Sequence, residues 1–253
     1  MKRRLVFPLL VAGAAGFTGA AQPRVLVYTR NHVTNGKGYV HENIATSVQT
    51  IRDLGSEGGF SVEHSEDPSI FSDDRLKNYA AIVFSNSNNE AFETDAQREA
   101  FQRFVRGGGG LVGIHSATGS ERKWPWFWSV MGGRFVRHPK IQKFTVRVAD
   151  PGHPATRGLP STFEWEDECY YTENHSPALK PLLVTDPAKL EDPKKAEYPG
   201  DRFGDALPIA WYQTQEGGRQ FYTALGHKKE HYADPLLRKQ ILGGILWVIG
   251  RDK

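Results

Sequence analysis

Three histidines stand at positions where the fold is expected to bring distant side chains together. His41 lies in the polar loop after the first predicted strand, His115 directly follows the fourth, and His227 follows the last. Ligands of open α/β sheets bind beyond the carboxyl ends of the strands, so we expect these imidazoles to meet at one sheet edge. Neutral imidazole is a common ligand of divalent transition metals, and imidazole also transfers protons near neutral pH. The spacing matches no compact metal motif such as H-E-x-x-H, so both chemistries stay open.

His115 is predicted to sit on a sharp turn between a strand and a helix. It occurs in Gly113-Ile114-His115-Ser116-Ala117, where an apolar strand runs into small residues. That pattern is typical of a nucleophile elbow, which projects one side chain above the sheet edge. A histidine with a purely structural role fits the same sequence, and His41 could serve only to begin a helix.

Charged side chains near these positions extend the candidate site. Arg30 and Glu42 share the loop of His41 as candidate substrate contacts. Glu168 belongs to residues 164–171, in which four carboxylates are mixed with aromatic residues. A run of charge is normally a solvated face, but the interleaved aromatic residues predict that one or two of these carboxylates point inward.

Tryptophans offer a second kind of contact surface. Trp124 and Trp126 crowd together after the His115 turn, and Trp211 lies in a later predicted strand. Indole faces suit the apolar faces of sugars, but the same residues could form an aromatic plug in the core. His138 precedes a proline, which is typical of a turn residue, and we retain it as a candidate substrate contact.

The elements that would position these residues alternate between short apolar strands and amphipathic helices. The first four predicted strands are residues 24–28, 60–64, 80–84 and 111–114. Apolar spacing predicts one helix over residues 44–55 and another over residues 237–248. A capping box at Thr94 predicts the start of a third helix between them. Strands that are apolar on both faces predict a three-layer α/β fold with a mostly parallel sheet. Residues 118–205 break the rhythm and predict an inserted region rich in β-structure and loops, and residues 207–212 and 220–225 predict a strand pair.

The composition is that of an ordinary folded globular protein. Of the 253 residues, 39% are hydrophobic and 24% are charged, and the formal net charge is +3. These values exclude a disordered tail, a coiled coil and a disulfide-stapled miniprotein. Cys169 is the only cysteine, so no internal disulfide can form. It is also a poor nucleophile candidate, because its acidic neighbours would raise the thiol pKa.

Residues 1–21 are predicted to be a secretory signal peptide, which leaves residues 22–253 as a single periplasmic or secreted domain. Lys2-Arg3-Arg4 precedes an apolar run and the small residues Gly19-Ala20-Ala21. The run is too short for a comfortable membrane span, although an uncleaved anchor is the alternative. Cleavage removes three positive charges from the net +3, so the mature chain is near neutral. It has neither a basic stripe for nucleic acid nor a later segment apolar enough to span a bilayer.

A series of short motifs runs along nearly the whole mature chain. They are Gly38-Tyr39-Val40-His41-Glu42, Gly108-Gly109-Gly110-Leu111-Val112-Gly113-Ile114-His115-Ser116-Ala117, Trp124-Pro125-Trp126, His138-Pro139, His153-Pro154-Ala155-Thr156-Arg157-Gly158-Leu159, Asp167-Glu168-Cys169-Tyr170, Pro208-Ile209-Ala210-Trp211 and Tyr222-Thr223-Ala224-Leu225-Gly226-His227. Through them the chain resembles the ThuA family, the trehalose-utilisation proteins, from about Arg24 to Gly250. The resemblance implies a flavodoxin-like sheet similar to that of class I glutamine amidotransferases. It also implies a role in sugar catabolism, associated with trehalose and with 3-keto sugars that partner oxidoreductases make.

The resemblance also limits the chemistry. In the glutaminase relatives the elbow position holds a cysteine, whereas His115 stands there in this chain, so no thioester can form. The histidine of the glutaminase triad corresponds to His227, but Lys229 and then Glu230 follow where its acidic partner is expected. Glutamine hydrolysis is therefore not expected.

The first functional hypothesis is an exported enzyme acting on a trehalose-like disaccharide or its 3-keto derivative. A keto group acidifies the neighbouring C–H, so a histidine or carboxylate base could abstract that proton, and elimination or isomerisation could follow. The assigned roles are acid and base for His115 and His227, second base or ligand for Glu168, oxyanion or metal contact for His41, and stacking for Trp126 and Trp211.

Two alternatives stay open at this stage. A non-catalytic carbohydrate-binding protein could retain the cleft of a degenerate amidotransferase scaffold. A divalent-metal hydrolase could bind its ion through His41, His115 and His227. Binding without turnover would indicate the first, and metal in the purified protein would favour the second.

Overall fold

A computed structural model describes residues 21–33 and 38–252. The predicted signal peptide, apart from Ala21, lies outside the described residues. The strands are β1 (Arg24–Tyr28), β2 (Asn31–His32), β3 (Ser61–Ser65), β4 (Ala81–Ser85), β5 (Asn88–Asn89), β6 (Gly110–Ile114), β7 (Arg134–Arg137), β8 (Gln142–Val148), β9 (Thr162–Asp167), β10 (Tyr171–Glu173), β11 (Lys180–Thr185), β12 (Leu207–Gln215) and β13 (Gly218–Thr223). The α-helices are α1 (Ile44–Gly58), α2 (Asp73–Leu76), α3 (Asp95–Arg106), α4 (Pro125–Met131) and α5 (Pro235–Val248). Among the described residues, no helix has both the length and the apolar character needed to cross a membrane.

One sheet of nine strands organises the described part of the chain, in the order β3-β1-β4-β6-β13-β12-β11-β8-β9. The first five of these strands are mutually parallel, in the strand order of a flavodoxin-like fold. The other four join through antiparallel pairs. The predicted α/β class and parallel half are confirmed. The region predicted as an insertion supplies β8, β9 and β11, which extend the same sheet.

Helices cover both faces of the parallel half. On one face α5 lies so close that a Cβ on Gly244 would overlap the ring of Phe221. On the other face, a Cβ on Gly113 would overlap Met131 at the end of α4. Helix α1 packs beside α5. Because both faces are covered, β4 and β6 are buried at every residue, which explains why their sequences are apolar at every residue except Ser85.

Two predicted helix boundaries have different outcomes. The capping box of α3 forms as predicted, with the Thr94 hydroxyl accepting from the Gln97 N–H and the Gln97 side chain accepting from the Thr94 N–H. Helix α1, predicted to end at Gly55, continues to Gly58 and is capped by Gly59 in the left-handed conformation at φ 72°. Gly55 serves close packing instead, since a Cβ there would lie 2.7 Å from the carbonyl oxygen of Phe60.

Candidate active site

Three histidines and one glutamate converge at the carboxyl edge of the parallel strands. One donor atom from each of His41, His115, Glu168 and His227 lies within 4.8 Å of the other three. His115 directly follows β6, and His227 lies beyond the end of the neighbouring parallel strand β13. The predicted meeting of the three imidazoles at one sheet edge is confirmed.

His115 occupies the predicted elbow. Its φ of 52° is in the left-handed region, and its side chain is completely buried. Its Nδ1 lies 2.7 Å from the carbonyl oxygen of Ala224. A carbonyl oxygen can only accept, so Nδ1 carries a proton and donates it to Ala224. In the neutral ring the lone pair is therefore on Nε2, which faces the centre of the cluster.

Four polar atoms surround Nε2 of His115. Their distances from it are 2.9 Å for the Tyr170 hydroxyl, 3.1 Å for His41 Nε2, 3.3 Å for His227 Nδ1 and 3.5 Å for Glu168 Oε2. Burial raises the pKa of Tyr170 well above its usual value, so the hydroxyl keeps its proton and can donate it to His115. No part of the His115 ring is left open to a substrate.

Charge is divided unevenly over the cluster. Burial, aided by the nearby His115 and His227, lowers the pKa of His41 to about 3, so this ring is neutral at physiological pH. Burial by itself would raise the pKa of Glu168, but the adjacent His115, His227 and His138 rings outweigh it and hold that pKa below its usual range. The hydrogen bond with Glu168 in turn raises the pKa of His227. The cluster thus joins a carboxylate whose pKa is lowered, Glu168, to an imidazole whose pKa is raised, His227.

Asp167 is a second inward-facing carboxylate, and the structure leaves none of it exposed. Its Oδ1 accepts from the Glu168 N–H at 2.8 Å, and its Oδ2 accepts from the Gly226 N–H at 2.9 Å. The indole N–H of Trp165 also donates to Oδ2, at 3.0 Å. The prediction that one or two carboxylates of residues 164–171 point inward is confirmed, by Asp167 and Glu168.

Asn43 hydrogen-bonds to the backbone of the loop at Gly226 and His227, which Asp167 also contacts. Its amide group donates to the carbonyl oxygens of Gly226 at 2.6 Å and His227 at 2.8 Å. Asp167 accepts from the N–H of Gly226, and Asn43 donates to its carbonyl oxygen. Both backbone polar groups of the residue before His227 are therefore hydrogen-bonded to side chains. Asn43 follows His41 by two residues, which ties the loops that carry two of the cluster histidines.

The mouth of the site is polar and partly covered by an aromatic ring. Tyr39 is 57% exposed and lies over the cluster, with its ring 4.7 Å from that of His41 and 6.2 Å from that of His227. A pocket of about 270 Å³ opens there, lined by Tyr39, Glu42, Asn43, His227, Lys228, Lys229 and Glu230. His138 is 35% exposed in its side chain and places Nε2 3.4 Å from Glu168 Oε1.

The predicted charged contacts lie at different distances from the cluster. Glu42 is at the mouth, exposed and 3.3 Å from the Lys229 ammonium. Arg30 is paired with Glu93 at 2.8 Å instead of with a cluster residue. Its role as a substrate contact stays a prediction.

The tryptophans are placed differently from the predicted stacking surface. Trp211 is 1% exposed, and its indole N–H donates to the Met131 carbonyl, so it offers no face to a sugar. Trp124 and Trp126 lie 5.2 Å apart and pack edge-on against Phe92 and Phe101. For these two residues the structure favours the aromatic-plug alternative.

Sequence reasoning missed three polar residues of the site, namely Asn43, Ser116 and Tyr170. Each is a single polar residue of a common type, and no spacing distinguishes it from a surface residue. Tyr170 alone had a signal, because it lies in the mixed acidic and aromatic run around Glu168. Ser116 is 3.2 Å from Nδ1 of His41, a contact set by the turn at His115.

The chain is similar to proteins of known family and fold. The family model described as "ThuA: Trehalose utilisation" matches residues 24–248. A solved ThuA-like protein from Bacteroides uniformis is 26% identical, with a TM-score of 0.70, and the match covers 92% of this chain and 95% of that one. No curated protein matches significantly.

More distant solved structures show the fold alone. A ThuA-like protein from Parabacteroides merdae is 19% identical with a TM-score of 0.67, and the match covers 90% of each chain. A β-galactosidase from Bacillus circulans is 12% identical with a TM-score of 0.54, and the match covers 90% of this chain but 30% of that one. The same layered scaffold is thus used in proteins of quite different length.

Proposed function

This chain belongs to the ThuA, or trehalose-utilisation, family, and on that basis we propose that it is an enzyme of sugar catabolism whose reaction takes place at the His41–His115–Glu168–His227 cluster. The proposed substrate is a trehalose-like disaccharide or its 3-keto derivative. The observation that carries the proposal is the convergence of four donor atoms within 4.8 Å at the carboxyl edge of the sheet. Perturbed titratable groups gathered in a cleft are typical of catalytic sites.

The proposed reaction begins with removal of the proton next to a sugar ketone. That step needs a base for the C–H and an electrophile for the developing oxyanion. Glu168 and His227 retain 11% and 15% side-chain exposure, so they are the members of the cluster that a substrate can reach. We therefore assign proton transfer to this pair and a positioning role to the enclosed His115. The electrophile is either the protonated ring of His227 or an ion held by the same donors.

The surroundings of the cluster suit a sugar. The exposed ring of Tyr39 offers a face for stacking at the mouth. Glu42 and Lys229 at the rim provide an acceptor and a donor for sugar hydroxyls. His138 lies beside Glu168 on the partly exposed side, where it can exchange protons with solvent.

The cellular setting forms part of the same proposal. Residues 1–21 have the layout of a cleavable signal peptide, so the enzyme would act in the periplasm or outside the cell. A 3-keto sugar arises by oxidation of a secondary hydroxyl, so a sugar oxidoreductase would supply the substrate.

The test is turnover of 3-keto-trehalose by the purified full chain, followed by NMR. Glu168→Gln and His227→Asn should each lower the rate by about 10²- to 10⁴-fold, the usual contribution of a general acid or base. Glu166→Gln is the matched control, because this exposed carboxylate of the same strand pairs with Lys228 outside the cluster. It should leave the rate unchanged.

Two outcomes would oppose the proposal. Full turnover after replacement of both His115 and His227 by Ala would remove the cluster from the reaction. Saturable sugar binding without turnover would instead identify a carbohydrate-binding protein that uses the same cleft.

A further inference from the structure

We propose that the cluster is a binding site for one divalent transition-metal ion, with His41 Nε2, His115 Nε2, His227 Nδ1 and Glu168 Oε2 as its ligands. The inference goes beyond the proposed sugar chemistry, because the donor geometry would bind the ion whatever the substrate. Within the proposed function, the ion would replace the protonated ring of His227 as the electrophile for the ketone oxygen, and Glu168 Oε1, which is not one of the four ligands, would remain for proton transfer.

The first argument is the spacing of the donor atoms. Ligands about 2.1 Å from one ion lie about 3.4 Å apart in a tetrahedral shell and about 3.0 Å apart at right angles in an octahedral one. His115 Nε2 lies 3.1 Å from His41 Nε2 and 3.3 Å from His227 Nδ1. Glu168 Oε2 lies 3.5 Å from His115 Nε2 and 3.3 Å from His227 Nδ1. These four of the six separations match donors that share one ion, and the other two lie within 4.8 Å.

The second argument is the excess of donors around one lone pair. His115 Nε2 has a single lone pair, since its Nδ1 proton is committed to Ala224, yet four polar atoms lie within 3.5 Å of it. Hydrogen bonds can satisfy only part of that arrangement. His41 Nε2 and His115 Nε2 lie 3.1 Å apart, so one cation placed between them could be bound by both nitrogens at once.

The third argument is the set of partners behind the ligands. Ligating histidines usually donate their second ring N–H to a carbonyl or another acceptor, which fixes the tautomer and the ring orientation. His115 donates Nδ1–H to Ala224, and His41 places Nδ1 3.2 Å from the Ser116 hydroxyl. The backbone N–H of Glu168 is held by the buried carboxylate of Asp167. These contacts orient the donors before any ion arrives.

The donor types select the kind of ion. Imidazole nitrogens suit zinc, copper, iron and nickel, whereas magnesium and calcium prefer oxygen ligands. The set contains three nitrogens and one carboxylate oxygen. We therefore infer a first-row transition metal, with zinc bound more tightly than manganese.

The experiment measures metal binding to chelator-stripped full-length protein. Calorimetric titration with Zn²⁺ should give one ion per chain, and Mg²⁺ or Ca²⁺ should give none. His41→Asn and Glu168→Gln should weaken zinc binding by more than about 100-fold, the upper end of what loss of an outer partner costs. Ser116→Ala, which removes only such a partner, should weaken it by about 10- to 100-fold.

Matched controls are Glu166→Gln and His32→Asn, which change exposed residues outside the cluster. Both should bind zinc like the unaltered protein. The proposal is overturned if the unaltered protein binds no zinc, or if His41→Asn and Glu168→Gln bind it as tightly as the controls.

A second measurement does not depend on the folding of variants. Co²⁺ added to the unaltered protein should produce visible d–d bands of an imidazole-ligated ion and a melting temperature that rises until one equivalent is bound. A spectrum that stays that of the aqueous ion contradicts the proposal. Zinc binding without sugar turnover would support the metal site and oppose the proposed function, so the two can fail separately.

Discussion

Asp167→Asn tests how strongly one buried carboxylate holds the site together. The amide oxygen can take the place of Oδ2 and keep the bonds from Gly226 and Trp165. The amide NH₂ then stands in the place of Oδ1, which in the unaltered protein accepts from the Glu168 N–H at 2.8 Å. In the variant the amide NH₂ and the Glu168 N–H therefore face each other. Two donors confront each other in a space without exposure to water, so both lose their partner.

The expected cost follows from those two groups. A buried donor without a partner costs about 1–3 kcal/mol, so the variant should lose about 4 kcal/mol of unfolding free energy. That is a large share of the about 5–15 kcal/mol typical of a folded domain. With a urea dependence of about 3 kcal/mol per M for a chain of this size, the midpoint should fall by more than about 1 M.

Urea unfolding followed by circular dichroism measures the change, with Glu166→Gln as the exposed control on the same strand. An unchanged midpoint in Asp167→Asn would refute the claim that this carboxylate secures the loops of Glu168 and Gly226. A fall of equal size in Glu166→Gln would show a general effect of strand β9 instead.

The pH dependence of the same variant provides a second readout. Burial alone would raise the pKa of Asp167, but the hydrogen bond with His231 and the nearby His115 ring hold it below its usual value. A carboxyl with a lowered folded-state pKa stabilises the fold above its unfolded pKa of about 3.9, and that stability is lost as pH falls through the folded value. Asp167→Asn should therefore be less sensitive to acid than the unaltered protein below about pH 4.

Three further predictions concern other parts of the site and the core. Gly113→Ala should destabilise the fold by about 1–3 kcal/mol in thermal or urea melts, because its Cβ would overlap Met131; Gly152→Ala, which would meet only ordinary contacts, should be near neutral, and equal effects would refute the packing argument. Burial lowers the pKa of His153 to about 4. The free energy of unfolding should therefore be highest above about pH 6.5 and should decline as the pH falls from about 6.5 towards about 4. His153→Gln should make this decline shallower in urea melts at several pH values. Tyr39→Ala should leave the melting temperature unchanged but raise KM for a keto-disaccharide by about fivefold, and an unchanged KM would exclude stacking at the mouth.

Much of the fold could be predicted from local patterns. Strands β1, β4 and β6 are buried on both faces, and such strands are apolar at nearly every residue, so they stand out in the sequence. The Thr94 cap could be predicted because its partners lie within one helical turn. His115 and His227 could be placed at one edge because each follows a recognisable parallel strand, and parallel strands end at the same edge.

The remainder required the tertiary structure. Trp211 has the same composition signal as a sugar-stacking residue, yet the packing of β12 against the end of α4 buries it against Met131. Asp167 and Glu166 are neighbours of the same chemical type on opposite faces of β9, and only the tertiary structure decides that the face of Asp167 is the enclosed one.

By itself, the sequence determined the family, the layered α/β class and the histidines that stand at the sheet edge. The tertiary structure alone decided that Asp167 is enclosed beside Glu168, that Asn43 and Asp167 bind the backbone at Gly226, and that Trp124 and Trp126 pack edge-on against Phe92 and Phe101. The physical reason is that periodicity and capping depend on neighbours along the chain. Contacts among buried polar groups depend on which distant segments share one desolvated space, and no local pattern encodes that choice.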